Sequence, residues 1–470
     1  MGEEAFEHEN VLMAPPAESG SSTTSSEQNI NNEKILSASP AAEKHLDPQI
    51  QPESETQPPT GNPSSNAASP PPNGGLLAWL HVLGAFMLWF NSWGILNAFG
   101  VFQTYYESGQ LFTKSSSDIS WIGSIQSFML LTVGIFAGPI YDRGHLRLLL
   151  LVGSFGVVFG HMMLSLCTEY WQVLLAQGFC VGIGAGCLFV PSVSVLPSYF
   201  STRIGLAVGL GSSGSSIGGV IYPIVLYRLI DRIGFAWSVR VMAFIALGTL
   251  LIPISIMRMR VKSPKPRALI DWSAFTDVPY MVHVLATLIG FMGLNIVLFY
   301  LSYDAAARQI TNTKMAFYIV AVFNAGSTFG RTAPNALSDR VGPFNLIAPC
   351  AVISGILMFC MIAVENEAAI IVVALLVGFF SGVFIAMPPV CFVALIKDKT
   401  RIGTRVGMGF GMIAFGVLVG GPGGGAILGT HDPLDWKGLW SFGGVAACLA
   451  GVLYAGIRVA KGGLKLNVKV

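Results

Sequence analysis

Charge is what this chain has least of. Asp, Glu, Lys and Arg make up 11% of its 470 residues, against roughly a quarter in an ordinary soluble domain. No Asp or Glu stands in the middle of any long apolar run, so an embedded carboxylate for a proton relay is missing. The seven cysteines form no C-x-x-C pair and lie in or beside apolar stretches. They read as small buried hydrophobes, not as a disulfide framework or a metal site. There is no Walker loop, no nucleophile elbow and no His/Cys/Asp/Glu cluster. These absences argue against ATP-driven pumping and hydrolysis, and no metal, cofactor or enzymatic activity is expected. The opening residues carry no basic stretch followed by an apolar core, so no signal peptide is expected.

What is present is apolar. The chain is 53% hydrophobic and has 54 glycines. A water-soluble core cannot hide that much apolar surface, so lipid is the expected solvent. The net charge of +2 conceals an asymmetry. Residues 1–75 hold 11 acids and 2 bases, leaving 25 − 11 = 14 acids and 27 − 2 = 25 bases for the rest. That basic excess falls in short loops between apolar runs, so no nucleic-acid partner is expected. Residues 1–73 are rich in Ser, Pro, Asn, Gln and Glu, which predicts a disordered tail. It is either a plain solvated tail or an arm regulated by phosphorylation.

From residue 76 the apolar runs predict twelve membrane spans: 78–103, 119–141, 148–167, 171–196, 203–228, 238–258, 279–303, 314–337, 345–364, 368–395, 404–428 and 438–459. Each is long enough to cross about 30 Å of hydrocarbon. This divides the chain into a cytoplasmic tail (1–73), a six-helix bundle (74–258), a basic connector (259–277), a second six-helix bundle (278–459) and a C-tail (460–470). With both termini cytoplasmic, the inner loops and C-tail hold 17 Lys and Arg and the outer loops 6. That is the positive-inside pattern.

The chain also says nearly the same thing twice. Thr202-Arg203-Ile204-Gly205-x-x-Val208-Gly209-x-Gly211 returns as Thr400-Arg401-Ile402-Gly403-x-x-Val406-Gly407-x-Gly409, at 400 − 202 = 198. Asp142-Arg143 returns as Asp339-Arg340, at 339 − 142 = 197. Val181-Gly182-x-x-x-Gly186 returns as Val377-Gly378-x-x-x-Gly382, at 377 − 181 = 196. Three patterns in one order at one spacing predict a duplicated unit in parallel register, as in transporters built from two similar halves.

Asp142-Arg143 and Asp339-Arg340 fall at the cytoplasmic ends of spans two and eight. A carboxylate there suits the positive N-terminus of a neighbouring helix and a loop arginine. The pair is either a latch remade as the halves rock or a static anchor. The glycine stretches 205–219 and 403–425 let helices approach closely, for sliding or for tight packing, and Pro422 marks a weak point in span eleven. Arg331 lies eight residues before Asp339, about 12 Å into the span at the usual helical rise. An arginine at that depth faces a ligand cavity, pairs internally or snorkels to the interface. Its fork suits a carboxylate. His161 in span three and Asp304 at the outer end of span seven are the candidate proton-coupling groups, though a lone histidine in a span also reads as a packing residue.

Together these features resemble the major facilitator superfamily, and within it the monocarboxylate porter family, over residues 74–460. Tyr199-Phe200-Ser201-Thr202-Arg203-x-x-x-Ala207-x-Gly209-x-x-x-x-Gly214-Ser215-x-x-Gly218 is similar to that family's span-five signature. Asn73-Gly74-Gly75-x-x-Ala78-Trp79 with Gly94-x-x-x-x-Phe99-Gly100-Val101-Phe102 is similar to its first-span signature, and the long polar tail to its fungal branch. The resemblance implies an all-α integral membrane fold of 12 helices in two pseudo-symmetric six-helix bundles, with a central site between them. Arg331 matches the arginine that animal carriers use on the substrate carboxylate. Those carriers have an aspartate where Ser327 stands and a lysine where Asn97 stands, and the departures suit a larger, less charged solute. Fungal relatives include riboflavin uptake carriers and exporters associated with secondary metabolites.

The expected function is secondary transport of a small organic solute, monocarboxylate-like or related, by rocking-bundle alternating access. Efflux of a secondary metabolite and a non-transporting nutrient sensor are the alternatives. Arg331 is expected to bind an anionic or carbonyl group. Asn97, Asn295, Asn324 and Ser327 are candidate hydrogen-bonding residues, and Trp93 and Phe379 candidate apolar walls. The partners are the solute, the bilayer and, as a candidate, protons. A multi-pass protein of the plasma membrane is the expected setting.

Overall fold

A computed structural model of the chain describes residues 71–260, 270–396, 398, 401–429 and 433–463. Most of the expected tail and C-tail and the middle of the connector lie outside the described residues. Among those described, every regular element is helical.

Among the described residues, ten helices are long and apolar enough to cross a membrane. They are Leu76–Tyr106, Asp118–Asp142, Leu146–Leu164, Tyr170–Ser198, Ile204–Ile256, Val278–Ala307, Pro343–Ala363, Glu367–Leu395, Ile402–Leu428 and Trp436–Gly462. Two features reconcile these ten with twelve crossings. Ile204–Ile256 runs for 53 residues, more than twice the ~20 that one crossing needs. Inside it Gly234 has φ 76° and ψ 168°. Spans five and six are thus two helices that reverse at one glycine, which reaches this backbone region without the clash a Cβ would bring. The open connection expected between 228 and 238 is replaced by helix on both sides of that turn.

The second feature is span eight, the helix Thr313–Val341. Its length suffices, but it carries Asn324, Ser327, Thr328, Arg331, Thr332, Asn335 and Ser338 and so fails on apolarity. Bare lipid would reject such a helix; only neighbouring helices can satisfy its side chains. Span eight therefore packs on both sides, against span ten within its own half and against span five of the other half. Span eleven packs likewise on span two of the other half. Span two with span eleven, and span five with span eight, are the two seams where the halves meet.

Local chemistry sets the helix ends. Ser115, Asp277, Asn312, Asn366 and Asp435 each accept a first-turn N–H through the side chain, the usual N-cap. Spans five and eleven begin after Arg203 and Arg401, which provide no such acceptor. Span one breaks after Asn91 and again at Asn97. There Asn91 donates to the Thr249 hydroxyl at 2.9 Å and accepts from the Tyr222 hydroxyl at 2.7 Å. The tie to spans five and six fixes the broken segment that carries Trp93 and Asn97. Helix Ile402–Leu428 continues through Pro422, which removes one backbone donor there without ending the helix.

Candidate functional site

The uncapped starts of spans five and eleven receive their acceptors from the opposite half. The N–H groups of Gly403 and Thr404 donate to the Asp142 carboxylate at 3.2 and 2.8 Å, and the Thr404 hydroxyl donates at 2.7 Å. Across the other seam the N–H groups of Gly205 and Leu206 donate to Asp339 at 2.7 and 3.0 Å. Each carboxylate sits at the positive end of a helix and closes orphan donors there. The doubled sequence thus becomes two equivalent inter-half contacts at the same end of the molecule. Arg143 and Arg340 beside them are exposed.

Glycines make the approach possible. A Cβ at Gly205 or Gly209 would stand 2.2 Å from the Asn335 carbonyl oxygen or 2.3 Å from that of Arg331. On the other seam a Cβ at Gly407 would stand 2.1 Å from the Gly134 oxygen, and one at Gly138 2.4 Å from the Gly403 oxygen. Real Cβ atoms cannot occupy such positions, so backbone lies directly on backbone.

Asn73 and the 199–202 loop support the start of span five. Asn73 Oδ1 accepts from the N–H groups of Ser201 and Thr202 at 2.6 and 2.9 Å. Trp79 meets Phe200 edge-on at 5.2 Å, and His81 stacks on Tyr199 at 4.0 Å. Asp271 does similar work for span eleven. Its carboxylate accepts from Arg405 at 2.9 Å and Arg401 at 3.2 Å, and Asp277 accepts from Arg405 at 3.1 Å. Burial alone would raise the Asp271 carboxyl. Hydrogen bonds from Ser273 and Arg405, the Arg405 charge and the Arg401 contact outweigh it and hold the group at about 2.

Farther along the seams lies a central cavity lined by Trp93, Asn97, Phe291, Asn295, Asn324 and Arg331 with other apolar residues. It is about 10 Å³, room for roughly one water. Arg331 is 3% exposed. Its Nε donates to Ser327 Oγ at 3.0 Å, and one terminal nitrogen donates to the Ser212 carbonyl at 3.2 Å and to the Ser215 hydroxyl. No carboxylate pairs with it among the described residues. Its hydrogen bonds are satisfied by dipoles while its charge is not neutralised. Trp93 adds a buried indole N–H without a hydrogen-bond partner. The amides of Asn295 and Asn324 donate to the Val417 and Val320 carbonyls at 3.3 and 3.0 Å, which leaves their oxygens as acceptors.

The cavity therefore brings together Trp93, Asn97, Asn295, Asn324 and Arg331. Ser327 stands beside it as a support for Arg331. Phe379 does not line it, because span ten presents backbone there: a Cβ at Gly330 would stand 1.8 Å from the Phe379 oxygen. His161 also lies elsewhere, hydrogen-bonded to the Val157 carbonyl at 2.8 Å in span three, which packs on spans four and six. Asp304 is paired with Arg308 at 3.4 Å, and Arg308 in turn donates to the carbonyls of Met361 and Val364. Phe291, Leu294, Leu298, Phe323 and Ile385 complete the cavity wall. No signal marked them, since apolar residues fill every span. Ser212 and Ser215 were legible only as polar interruptions of a glycine stretch.

A sequence model described as Major Facilitator Superfamily matches residues 76–348. The chain belongs to the Major Facilitator Superfamily. It is a multi-pass membrane transporter of small-molecule solutes. The MFS-type transporter dbaD of Emericella nidulans is 64% identical over 439 residues, 93% of this chain and 98% of that protein. The aspyridones efflux protein apdF of the same fungus is 36% identical over 391 residues, 82% of this chain and 80% of that protein. Among solved structures, the superfamily transporter FucP in its outward conformation aligns with a TM-score of 0.59 at 16% identity, covering 80% of this chain and 98% of its own. The human organic anion transporter MFSD10 aligns at 0.60 and 12% identity, with the same coverage. At such identities these two likenesses concern the major facilitator fold alone.

Proposed function

We propose that this transporter exports a fungal secondary metabolite carrying an anionic or carbonyl oxygen, and that Arg331 anchors that oxygen. The observation that carries the reading is a buried cation with no carboxylate partner, facing the cavity between the halves. A solute oxyanion adds charge attraction and the two-pronged geometry of a guanidinium–carboxylate pair, so it competes well for this group. Trp93 supplies a second donor, and the three asparagines accept hydroxyls of the solute. Efflux is favoured because a relative of the same design is named for the efflux of aspyridones.

The cavity as it stands is too small for such a solute, so spans five and eight or spans two and eleven must part to admit one. Asp142 and Asp339 are then latches that open and close with each cycle. On the positive-inside pattern they lie at the cytoplasmic face, with the plasma membrane as the site of action. The cavity is lined by no Asp, Glu or His, so the reading gives His161 and Asp304 no part in solute binding. The packing of 73–79 on 199–202 supports the finer resemblance to the monocarboxylate porter family, whose two signatures those stretches resemble.

The test compares culture media of cells expressing the chain with those carrying an empty vector, by mass spectrometry of fungal metabolites supplied or made in the cell. An acidic or carbonyl-bearing metabolite that accumulates outside only with the chain is expected. Uptake of labelled monocarboxylates or riboflavin, with no export of any metabolite, would replace export by import.

A further inference from the structure

The doubling that makes the two seams alike fails at one level. At the 197-residue offset, Arg331 corresponds to Gly134, as 331 − 197 = 134, and Ser327 to Leu130. At the 198-residue offset, Ser212 and Ser215 correspond to Phe410 and Ile413. One seam is therefore glycine and hydrocarbon through its middle. The other crosses at that level through a guanidinium of one half held by a carbonyl and a hydroxyl of the other.

That crossing has a definite chemistry. The Ser215 hydroxyl donates to the Ser212 carbonyl at 2.8 Å and accepts from Arg331. The same Arg331 nitrogen donates to the Ser212 carbonyl at 3.2 Å. Ser215 is fully buried, so water does not compete for it. Above and below, the seam is held by different groups. Asp339 binds the start of span five, and at the other end Arg228 donates to the Tyr318 hydroxyl at 2.5 Å while Tyr227 stacks on Phe317 at 4.4 Å.

We infer that Ser215, with the Ser212 carbonyl, is the resting ligand of Arg331, and that a solute oxyanion takes its place. Binding and loosening of the span five–span eight seam are then one exchange of hydrogen bonds. No covalent bond changes. The guanidinium turns from two neutral acceptors on the opposite half to a charged acceptor on the solute, and the seam loses its middle contact. Ser215 is a positioning residue in this scheme: it sets how much solute affinity is spent in freeing Arg331. The inference rests on the reading of Arg331 as solute anchor.

Hydrogen–deuterium exchange of the full chain in lipid nanodiscs tests it, with 2-naphthoate as the probe anion. Without naphthoate, Ser215→Ala should raise exchange about tenfold over 205–216 and 327–339, the scale of one lost hydrogen bond to a charged group. Segments 134–142 and 403–411 should keep wild-type exchange, and Ser215→Thr, which retains the hydroxyl, should behave as wild type. In the wild type naphthoate should produce the same local rise, and it should add nothing to Ser215→Ala. Exchange in Ser215→Ala equal to wild type overturns the proposed swap of partners, even if Arg331→Ala abolishes the naphthoate response. A rise spread equally over both seams overturns it too, since that marks general loosening. A naphthoate response that persists unchanged in Arg331→Ala overturns the underlying reading of Arg331.

Discussion

The seam of spans two and eleven and the seam of spans five and eight use one backbone plan with two kinds of filling. Both are closed at one end by an aspartate on a helix N-terminus, and both then bring glycine onto backbone. Beyond that point the first seam is mostly apolar, with Ile135 against Gly411 and the buried Ser124 hydroxyl near Gly421. The second is polar, with Asn335 donating to the Arg331 carbonyl at 2.8 Å and Arg331 reaching across to Ser212 and Ser215. A dry, close-packed seam has one good arrangement. A polar seam has alternatives, because its donors can accept new partners. The duplication supplies the mechanical frame and the departure from it supplies the chemistry.

The common frame is the place for the largest effects. Gly209→Ala and Gly407→Ala each force a methyl group into a carbonyl oxygen, which should cost up to about 3 kcal/mol on either seam. Thermal unfolding in detergent should show equal losses. A loss at only one of them would mean that the two backbone approaches are not equivalent.

Next come the two aspartate contacts, the proposed latches. Asp142→Asn and Asp339→Asn each weaken charge-assisted hydrogen bonds, at about 1–2 kcal/mol. Each substitution should slow solute exchange, with solute affinity retained in both variants. Wild-type exchange kinetics in Asp142→Asn would make that contact a static anchor.

The smallest expected effect concerns Asp271, which supports span eleven through Arg401 and Arg405. Arg401 is about half exposed, so the cluster should contribute under about 1 kcal/mol. Its carboxyl lies lower in the folded chain, at about 2, than in the unfolded chain, where it is near 3.9. The contribution is therefore complete above about pH 4 and is lost as the pH falls toward 2. Asp271→Asn should lower the unfolding temperature slightly and equally at pH 7 and pH 5. A difference that disappears between pH 7 and 5 would contradict the depressed carboxyl.

Much of this frame was legible in the sequence. Apolar length gave the crossings, and the recurrence at 197–198 residues gave both aspartate contacts, because a helix-terminal aspartate and a glycine helix start are local patterns. Gly234 was not legible as a turn, since one glycine among 54 carries no mark of its φ angle. Arg331 stood out because a cation in an apolar run has few explanations. Its partners did not, because Ser212 and Ser215 meet it only when the halves pack. Phe379 illustrates the converse: an aromatic at a plausible depth faced away, because glycines on span eight drew the backbone of span ten toward it.

Arg331→Ala decides the central claim most directly. The measurement is export of the metabolite that accumulates outside cells expressing the chain, with wild type and variant matched for protein at the cell surface. Removing the one buried cation that lines the cavity among the described residues should lower export at least about a hundredfold, on the scale of a lost charged contact, and Arg331→Lys should recover little, because a point charge does not reproduce the fork. Export by Arg331→Ala at the wild-type rate would contradict the account.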